Sequence, residues 1–108
     1  MDLTLQQYWL PRYDWVLSME VLEHIPAKFE VVVLDNICRA AGYGIVLSWA
    51  VPGQPGFYHI NNRDPTYVKQ TMFNRGFKID DSASLALRRN ATFRVLRRNM
   101  MVFFRRQF

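Results

Sequence analysis

Apolar residues along this chain fall into short continuous runs separated by breakers, with helical spacing between the runs. The run Tyr13-Asp14-Trp15-Val16-Leu17-Ser18-Met19 is aromatic and β-branched rather than alternating, the pattern of a strand covered on both faces. It puts Trp15, Val16 and Leu17 in the core. Pro26 then breaks the chain, and apolar residues recur at Phe29, Val33 and Ile37 on the way to Gly42. That spacing predicts a helix over 27–41 stopped by Gly42, against the strand propensity of Val31, Val32 and Val33.

The clearest strand is Gly44-Ile45-Val46-Leu47-Ser48-Trp49-Ala50, bracketed by glycine and by the turn-forming Pro52-Gly53-Gln54-Pro55-Gly56. It should lie centrally and parallel to the first strand. Asp64 and Pro65 make an N-cap and first-turn pair, opening a helix that runs through Tyr67, Val68, Thr71, Met72 and Phe73 to a stop at Gly76. Phe77-Lys78-Ile79 is a third strand. A short helix over 82–90, with Leu85 and Leu87 as its apolar positions, leads to a last strand, Met100-Met101-Val102-Phe103-Phe104, flanked by arginines. The alternation is that of half a doubly wound α/β sheet.

A length of 108 residues allows one small domain, and an apolar content of 50% argues for a packed body rather than a disordered one. Cys38 is the single cysteine, so no disulfide forms within the chain; it falls in the predicted helix, away from the sheet edge where chemistry gathers. No run reaches the roughly 18 apolar residues of a spanning helix, and the start of the chain lacks a basic and apolar leader. The expectation is a soluble, cytoplasmic protein with no membrane partner.

The net charge of +5 is uneven, because Arg88, Arg89, Arg94, Arg97, Arg98, Arg105 and Arg106 crowd the last quarter. Such a stripe suits phosphates or acidic partners, and it equally suits a solvated basic face. No helix-turn-helix, RNP-like or zinc-finger pattern accompanies it. Nucleic acid is therefore the less favoured partner and a small molecule the more favoured one.

Open α/β sheets present ligands outside the carboxyl ends of their strands, and Glu20, Glu23 and His24 stand directly behind the first one. A helix beginning after Met19 would bring all three to one face. Two carboxylates and an imidazole bind a divalent cation or exchange protons. The same residues also read as a capping carboxylate, a surface glutamate and a loop-anchoring histidine. His59 follows the second strand, so its loop should meet the loop after Ser18 and complete the cluster, or else only anchor its own segment. Asn61, Asn62 and Arg63 beside it read as ligand contacts or as turn formers. Trp49, Phe57 and Tyr58 suit either stacking on a flat ligand or core packing. No glycine-rich phosphate loop is present.

The ordered set of segments, from Tyr13-Asp14-Trp15-Val16-Leu17-Ser18-Met19-Glu20-Val21-Leu22-Glu23-His24-Ile25-Pro26 through 44–50 to Gly56-Phe57-Tyr58-His59-Ile60-Asn61-Asn62-Arg63, resembles class I S-adenosylmethionine-dependent methyltransferases over nearly the whole chain. The resemblance implies the carboxyl-terminal half of their Rossmann-like sheet. Its strands would be the family's fourth, fifth, seventh and sixth in spatial order, the last in sequence antiparallel, with helices on both faces. It implies methyl transfer to a hydroxyl-bearing acceptor, with catalytic roles for Glu20, His24 and His59. S-adenosylmethionine would rest against Ser18, Met19 and Glu20, and Trp49, His59, Asn61 and Asn62 would face the substrate.

A similar Glu-x-x-Glu-His with a later histidine binds a divalent metal in small-RNA and some quinone O-methyltransferases. By that resemblance Glu20, Glu23, His24 and His59 are ligands for Mg or Mn. The resemblance also marks a departure. Residues 1–108 read as one partial domain lacking the first three strands and the glycine-rich cofactor loop, so the isolated chain is expected to be impaired. Its first strand would then be an open apolar edge, suited to a homodimer or to a non-catalytic interaction module.

Overall fold

The long apolar run does become the spine of the sheet, but it starts earlier than its glycines suggest. In a computed structural model that describes residues 2–6, 11–54, 56 and 58–106, β1 (Tyr13–Ser18) is followed by two single 3-10 turns, Leu22–His24 and Ala27–Phe29. Then come α1 (Glu30–Ala40), β2 (Ala41–Ser48), α2 (Pro65–Asn74), β3 (Phe77–Ile79), α3 (Asp81–Asn90), the one-turn α4 (Leu96–Asn99) and β4 (Met100–Arg105). The strands form one sheet in the order β1-β2-β4-β3. β1 and β2 are parallel, and β4 is inserted antiparallel between β2 and β3. This is the connectivity that the resemblance implied.

Gly42 does not stop the helix; it lies inside β2, and α1 passes into the strand at Ala41 with no loop between them. Strand-to-strand packing needs the small residues here. A Cβ on Gly42 would come within 3.0 Å of the Tyr13 carbonyl oxygen, and one on Gly44 within 2.4 Å of the Trp15 ring. The helix end is finished by a distant side chain instead. Arg105, at the end of β4, donates to the carbonyls of Cys38 (3.0 Å), Ala41 (2.6 Å) and Gly42 (3.2 Å), and its guanidinium lies over the Phe77 ring. A cation at the carbonyl end of a helix also suits the helix dipole.

The core lies on one face of the sheet. Ile45 and Leu47 of β2, Met101 and Phe103 of β4 and Phe77 of β3 pack with Val33, Leu34 and Ile37 of α1 and with Val68 and Met72 of α2. β1 departs from expectation. Val16 packs against this core, but Trp15 and Leu17 point from the other face, where they are 46% and 69% exposed, next to an exposed Tyr13. The covering layer foreseen on both faces of β1 is therefore present on one, among the described residues.

The capping signals hold. The Asp64 carboxylate accepts the Thr66 amide at 2.8 Å, and Gly76, with φ near +90°, closes the turn after α2. α3 starts one residue earlier than predicted, capped by Asp80. Leu85 and Leu87 are exposed, and the buried member of the helix is Ser84. Its hydroxyl donates to the Asp80 carbonyl (2.7 Å) and accepts the Val102 amide (2.9 Å), tying α3 to β4. No helix among the described residues is long and apolar enough to cross a membrane.

Arg105→Ala should cost about 2 kcal/mol, the scale of charge-assisted hydrogen bonds lost with their acceptors left in place. Urea unfolding followed by far-ultraviolet circular dichroism measures it, and a loss below about 0.5 kcal/mol, the size of an ordinary surface substitution, would show that the cap is dispensable.

Candidate functional site

Two strand ends and one loop build the site. At the end of β1 the chain turns through Glu20, whose backbone takes the left-handed conformation (φ 54°) and whose amide donates to the hydroxyl of Ser48, the last residue of β2, at 2.6 Å. The left-handed residue breaks any helix there. Glu20, Glu23 and His24 therefore do not share a helical face; Glu23 and His24 sit in the 3-10 turn Leu22–His24, and Glu20 precedes it, tied by its amide to the Ser48 hydroxyl. Leu22 anchors this turn in the core, which rolls the Glu23 side chain completely out of solvent.

The loop after β2 is then fastened to the turn. The Glu23 carbonyl accepts the amides of Ile60 (2.9 Å) and Asn61 (3.0 Å), and Arg63 donates its amide to Ala50 (3.0 Å). Beneath the loop, buried Glu30 accepts from Asn61, Arg63 and Tyr67. Burial alone would raise its pKa, but these three donors outweigh it and hold the carboxyl below the usual range.

Glu23, His24 and His59 converge as a result. One ligand atom from each lies within 4.8 Å of the other two, the imidazole centroids are 5.0 Å apart, and His59 Nε2 stands 4.0 Å from Glu23 Oε1. Each ring has a carbonyl at Nδ1: that of Tyr58 at 3.0 Å from His24, and that of Gln54 at 3.4 Å from His59. A carbonyl only accepts, so it assigns the ring proton to Nδ1 and leaves Nε2 with a free lone pair. Gly56 makes room for this, because a Cβ there would fall 2.2 Å from the His59 ring.

The electrostatics of the two carboxyls diverge. Burial, reinforced by the neighbouring Glu20 carboxylate, pushes Glu23 up to about 8. Glu20 is near enough to bias this ionisation without being aligned for a hydrogen bond, and both Glu23 oxygens are buried with no hydrogen-bond partner among the described residues. Burial would raise Glu20 too, but its contacts with Glu23, Asn99 and Ser48 prevail and lower it. A neutral and an ionised carboxyl side by side are the arrangement of an acid and base pair. An orphaned buried carboxyl between two imidazoles with free lone pairs also has the donor set for a divalent cation. Of the four ligands implied, Glu23, His24 and His59 fit together, and Glu20 stands apart, accepting from Asn99 at 3.2 Å.

The other candidates fall into two groups. Ser18, buried at the end of β1 with its hydroxyl unpartnered, borders an apolar recess of about 220 Å³ beside β1, formed with Leu17, Val21 and Ile37; Met19 and Glu20 continue from it. Of these three, only Ser18 lines the recess. Trp49, by contrast, is buried in the core, donating to the Asn61 carbonyl (2.8 Å). Asn61 is committed to Glu30 and Trp49, and Asn62 staples the loop through the carbonyls of Val51 and Gln54. Tyr58 is exposed, and Phe57 lies outside the described residues. Cys38 is buried far into α1, with burial raising its thiol to about 12.

Asn99 and Gln54 escaped the sequence reading. Asn99 is fully buried and donates to both Glu20 Oε1 and Gln54 Oε1, each at 3.2 Å. An antiparallel β4 brings its own beginning to the edge where β1 and β2 end, so a polar residue just ahead of Met100 was the available signal.

No protein-family model matches the sequence, and neither does any curated protein. Solved structures do match. Magnesium protoporphyrin IX methyltransferase from Synechocystis PCC 6803 with bound SAH aligns with a TM-score of 0.69 at 17% identity, over 98% of this chain and 49% of that one. Its SAM-bound form gives 0.64 at 17% identity, over 98% and 44%. A pericyclic reaction enzyme gives 0.60 at 14% identity, over 99% and 29%. The chain therefore has the class I methyltransferase fold, and it spans about half the length of these methyltransferase structures.

Glu23 should make stability depend on pH in a stated direction. The folded chain keeps the Glu23 proton up to about 8, whereas the unfolded carboxyl releases it near 4.5, so between these values folding takes up a proton and stability falls as pH rises. Glu20, His24 and His59 face the same carboxyl. Glu23→Gln removes the proton exchange and should flatten the loss between about pH 5 and about pH 8 in urea titrations. An unchanged slope would mean that Glu23 is ionised in the folded protein.

Proposed function

We propose that this chain is the acceptor-side half of an S-adenosylmethionine-dependent methyltransferase acting on a hydroxyl-bearing small molecule. The observation that carries the reading is the convergence of Glu23, His24 and His59 at the carboxyl edge of β1 and β2, on a fold shared with SAM- and SAH-bound methyltransferases. Ser18, Met19 and Glu20 would face the cofactor. His59 and His24, with their free Nε2 atoms, would receive the acceptor's proton, and ionised Glu20 would hold the charge balance of the pocket. A divalent cation such as Mg²⁺ or Mn²⁺ would be held by Glu23, His24 and His59, and its chemistry is to lower the pKa of a bound hydroxyl. Binding it requires the Glu23 proton to leave, so affinity should rise with pH.

The described residues supply no glycine-rich strand-to-helix turn for the rest of the cofactor. Isothermal titration of the folded chain with S-adenosylmethionine should therefore show binding no tighter than millimolar, and micromolar binding would overturn the claim that the chain is impaired. Titration with Mn²⁺ should show one site that weakens at least about tenfold in His59→Ala and much less in Glu20→Gln, which removes a carboxylate outside the three converging ligands. Equal weakening in both would restore the four-ligand site.

A second reading is an interaction module that pairs through β1. It is favoured by Tyr13, Trp15 and Leu17, which are 59%, 46% and 69% exposed along the outer strand of the sheet. Two copies related by a two-fold axis would pair β1 with β1 in antiparallel fashion, with Trp15 opposite Trp15 and no like charges opposed. Light scattering should then give a dimer that Leu17→Lys converts to monomer; a monodisperse monomer at high concentration would remove this reading.

A further inference from the structure

A second recess adjoins the site and is lined by cations. The loop 51–54 forms one wall, and Arg94, Val95 and Arg98 form the other, enclosing about 350 Å³. The loop wall is a tight turn: the Gln54 amide donates to the Val51 carbonyl at 3.0 Å, and Gly53 has φ near +84° after Pro52, the pattern of a type II turn whose shape is set in advance. The opposite wall is helical. The Arg97 and Arg98 amides donate to the Arg94 and Val95 carbonyls in a tight turn that leads into α4, and Arg94 and Arg98 both line the recess.

These two arginines, like Arg89 in a separate recess, differ from the other arginines of the stripe. Arg88 is spent on the Met100 carbonyl, Arg97 on the Ala91 carbonyl, and Arg105 and Arg106 on carbonyls at helix ends. The guanidinium groups of Arg94 and Arg98 have no acidic or carbonyl partner among the described residues. The recess they face adjoins the candidate site at Gln54, which lines it and forms a partition with the buried Asn99 at 3.2 Å, Asn99 going on to Glu20. Val51, Pro52 and Val95 leave an apolar surface between the cations and that partition.

We propose that Arg94 and Arg98 form an oxyanion subsite, and that the molecule taken by this protein carries a carboxylate or phosphate on a compact apolar body. Unspent guanidinium groups lining one recess suit two oxygens of one anion, and the apolar walls suit a ring or short chain beside it. A small ligand fits better than a nucleic acid strand, because the recess holds only about 350 Å³. Naming this ligand as the methyl acceptor rests on the methyltransferase reading; the anion site itself does not.

The test is a nitrogen-15 chemical-shift titration of the full chain with phenyl phosphate, benzoate and phenol at constant ionic strength. Phenyl phosphate or benzoate should shift the amides of Gly53, Gln54, Val95 and Arg98 saturably, and phenol should not; the stronger of the two anions tells phosphate from carboxylate. The double variant Arg94→Gln with Arg98→Gln should weaken binding at least about tenfold, as expected for two lost charge-assisted contacts, with the rest of its spectrum unchanged. Arg89→Gln, in a separate exposed recess, should leave binding as it was. Equal response to phenol, or indifference to the double variant, would overturn the subsite. So would tight binding of a single-stranded oligouridine that Arg89→Gln weakens as much as the double variant does, since that would make the whole stripe a nucleic-acid surface. Anion binding by a folded chain that binds neither Mn²⁺ nor S-adenosylmethionine would leave the subsite standing and remove the methyltransferase reading.

Discussion

One backbone oxygen holds the site together. The Glu23 carbonyl accepts the amides of Ile60 and Asn61, and through these two bonds the turn after β1 and the long loop after β2 become one rigid unit. The acceptor, Glu23, and one donor, Asn61, are buried, so leaving that bond unmade would be costly. Everything chemical follows from that fastening. It brings His59 against Glu23, sets the Tyr58 carbonyl at His24 Nδ1, and hands Asn61 and Arg63 to Glu30. The loop could not drift by an ångström without undoing several of these contacts together.

The sheet beneath explains why the edge is placed where it is. Parallel β1 and β2 end at the same side, and antiparallel β4 begins there, so Ser18, Ser48 and Asn99 meet although they are far apart in sequence. The opposite consequence of this order is an unfinished boundary. Among the described residues β1 has a neighbour on one side only, and Trp15 and Leu17 face solvent on the side away from the core. Parallel strands are normally buried on both faces, and this one is half-way there. In the solved methyltransferases that share the fold, about as much chain again is present.

Charge is distributed by the same logic. Two carboxyls in one pocket cannot both ionise cheaply, so the one with donors, Glu20, keeps the charge, and the one without, Glu23, keeps its proton. The arginines divide similarly. Those near carbonyl ends of helices are consumed in capping, and Arg94 and Arg98, which line a recess with the turn at 51–54, are left available.

Much of this was legible in the chain itself. Continuous apolar runs fixed the strands, Asp64-Pro65 and Gly76 fixed the limits of α2, and the polar cluster behind the first strand marked the site edge, because these signals act within a few residues. What lay beyond the sequence were the distant pairings. Gly42 looked like a helix stop and is a close-approach residue in β2, since the cap it would have supplied comes from Arg105. Trp15 and Leu17 looked like core, because a run of apolar residues does not say whether a second layer is there to cover it. Only the tertiary structure could separate Glu20 from the three converging ligands, bury Trp49 and Asn61, and bring Asn99 and Gln54 to the site. Local propensity decides which residues form a strand or a helix; the sheet order decides which strand ends share an edge, and that is set by contacts between residues remote in sequence.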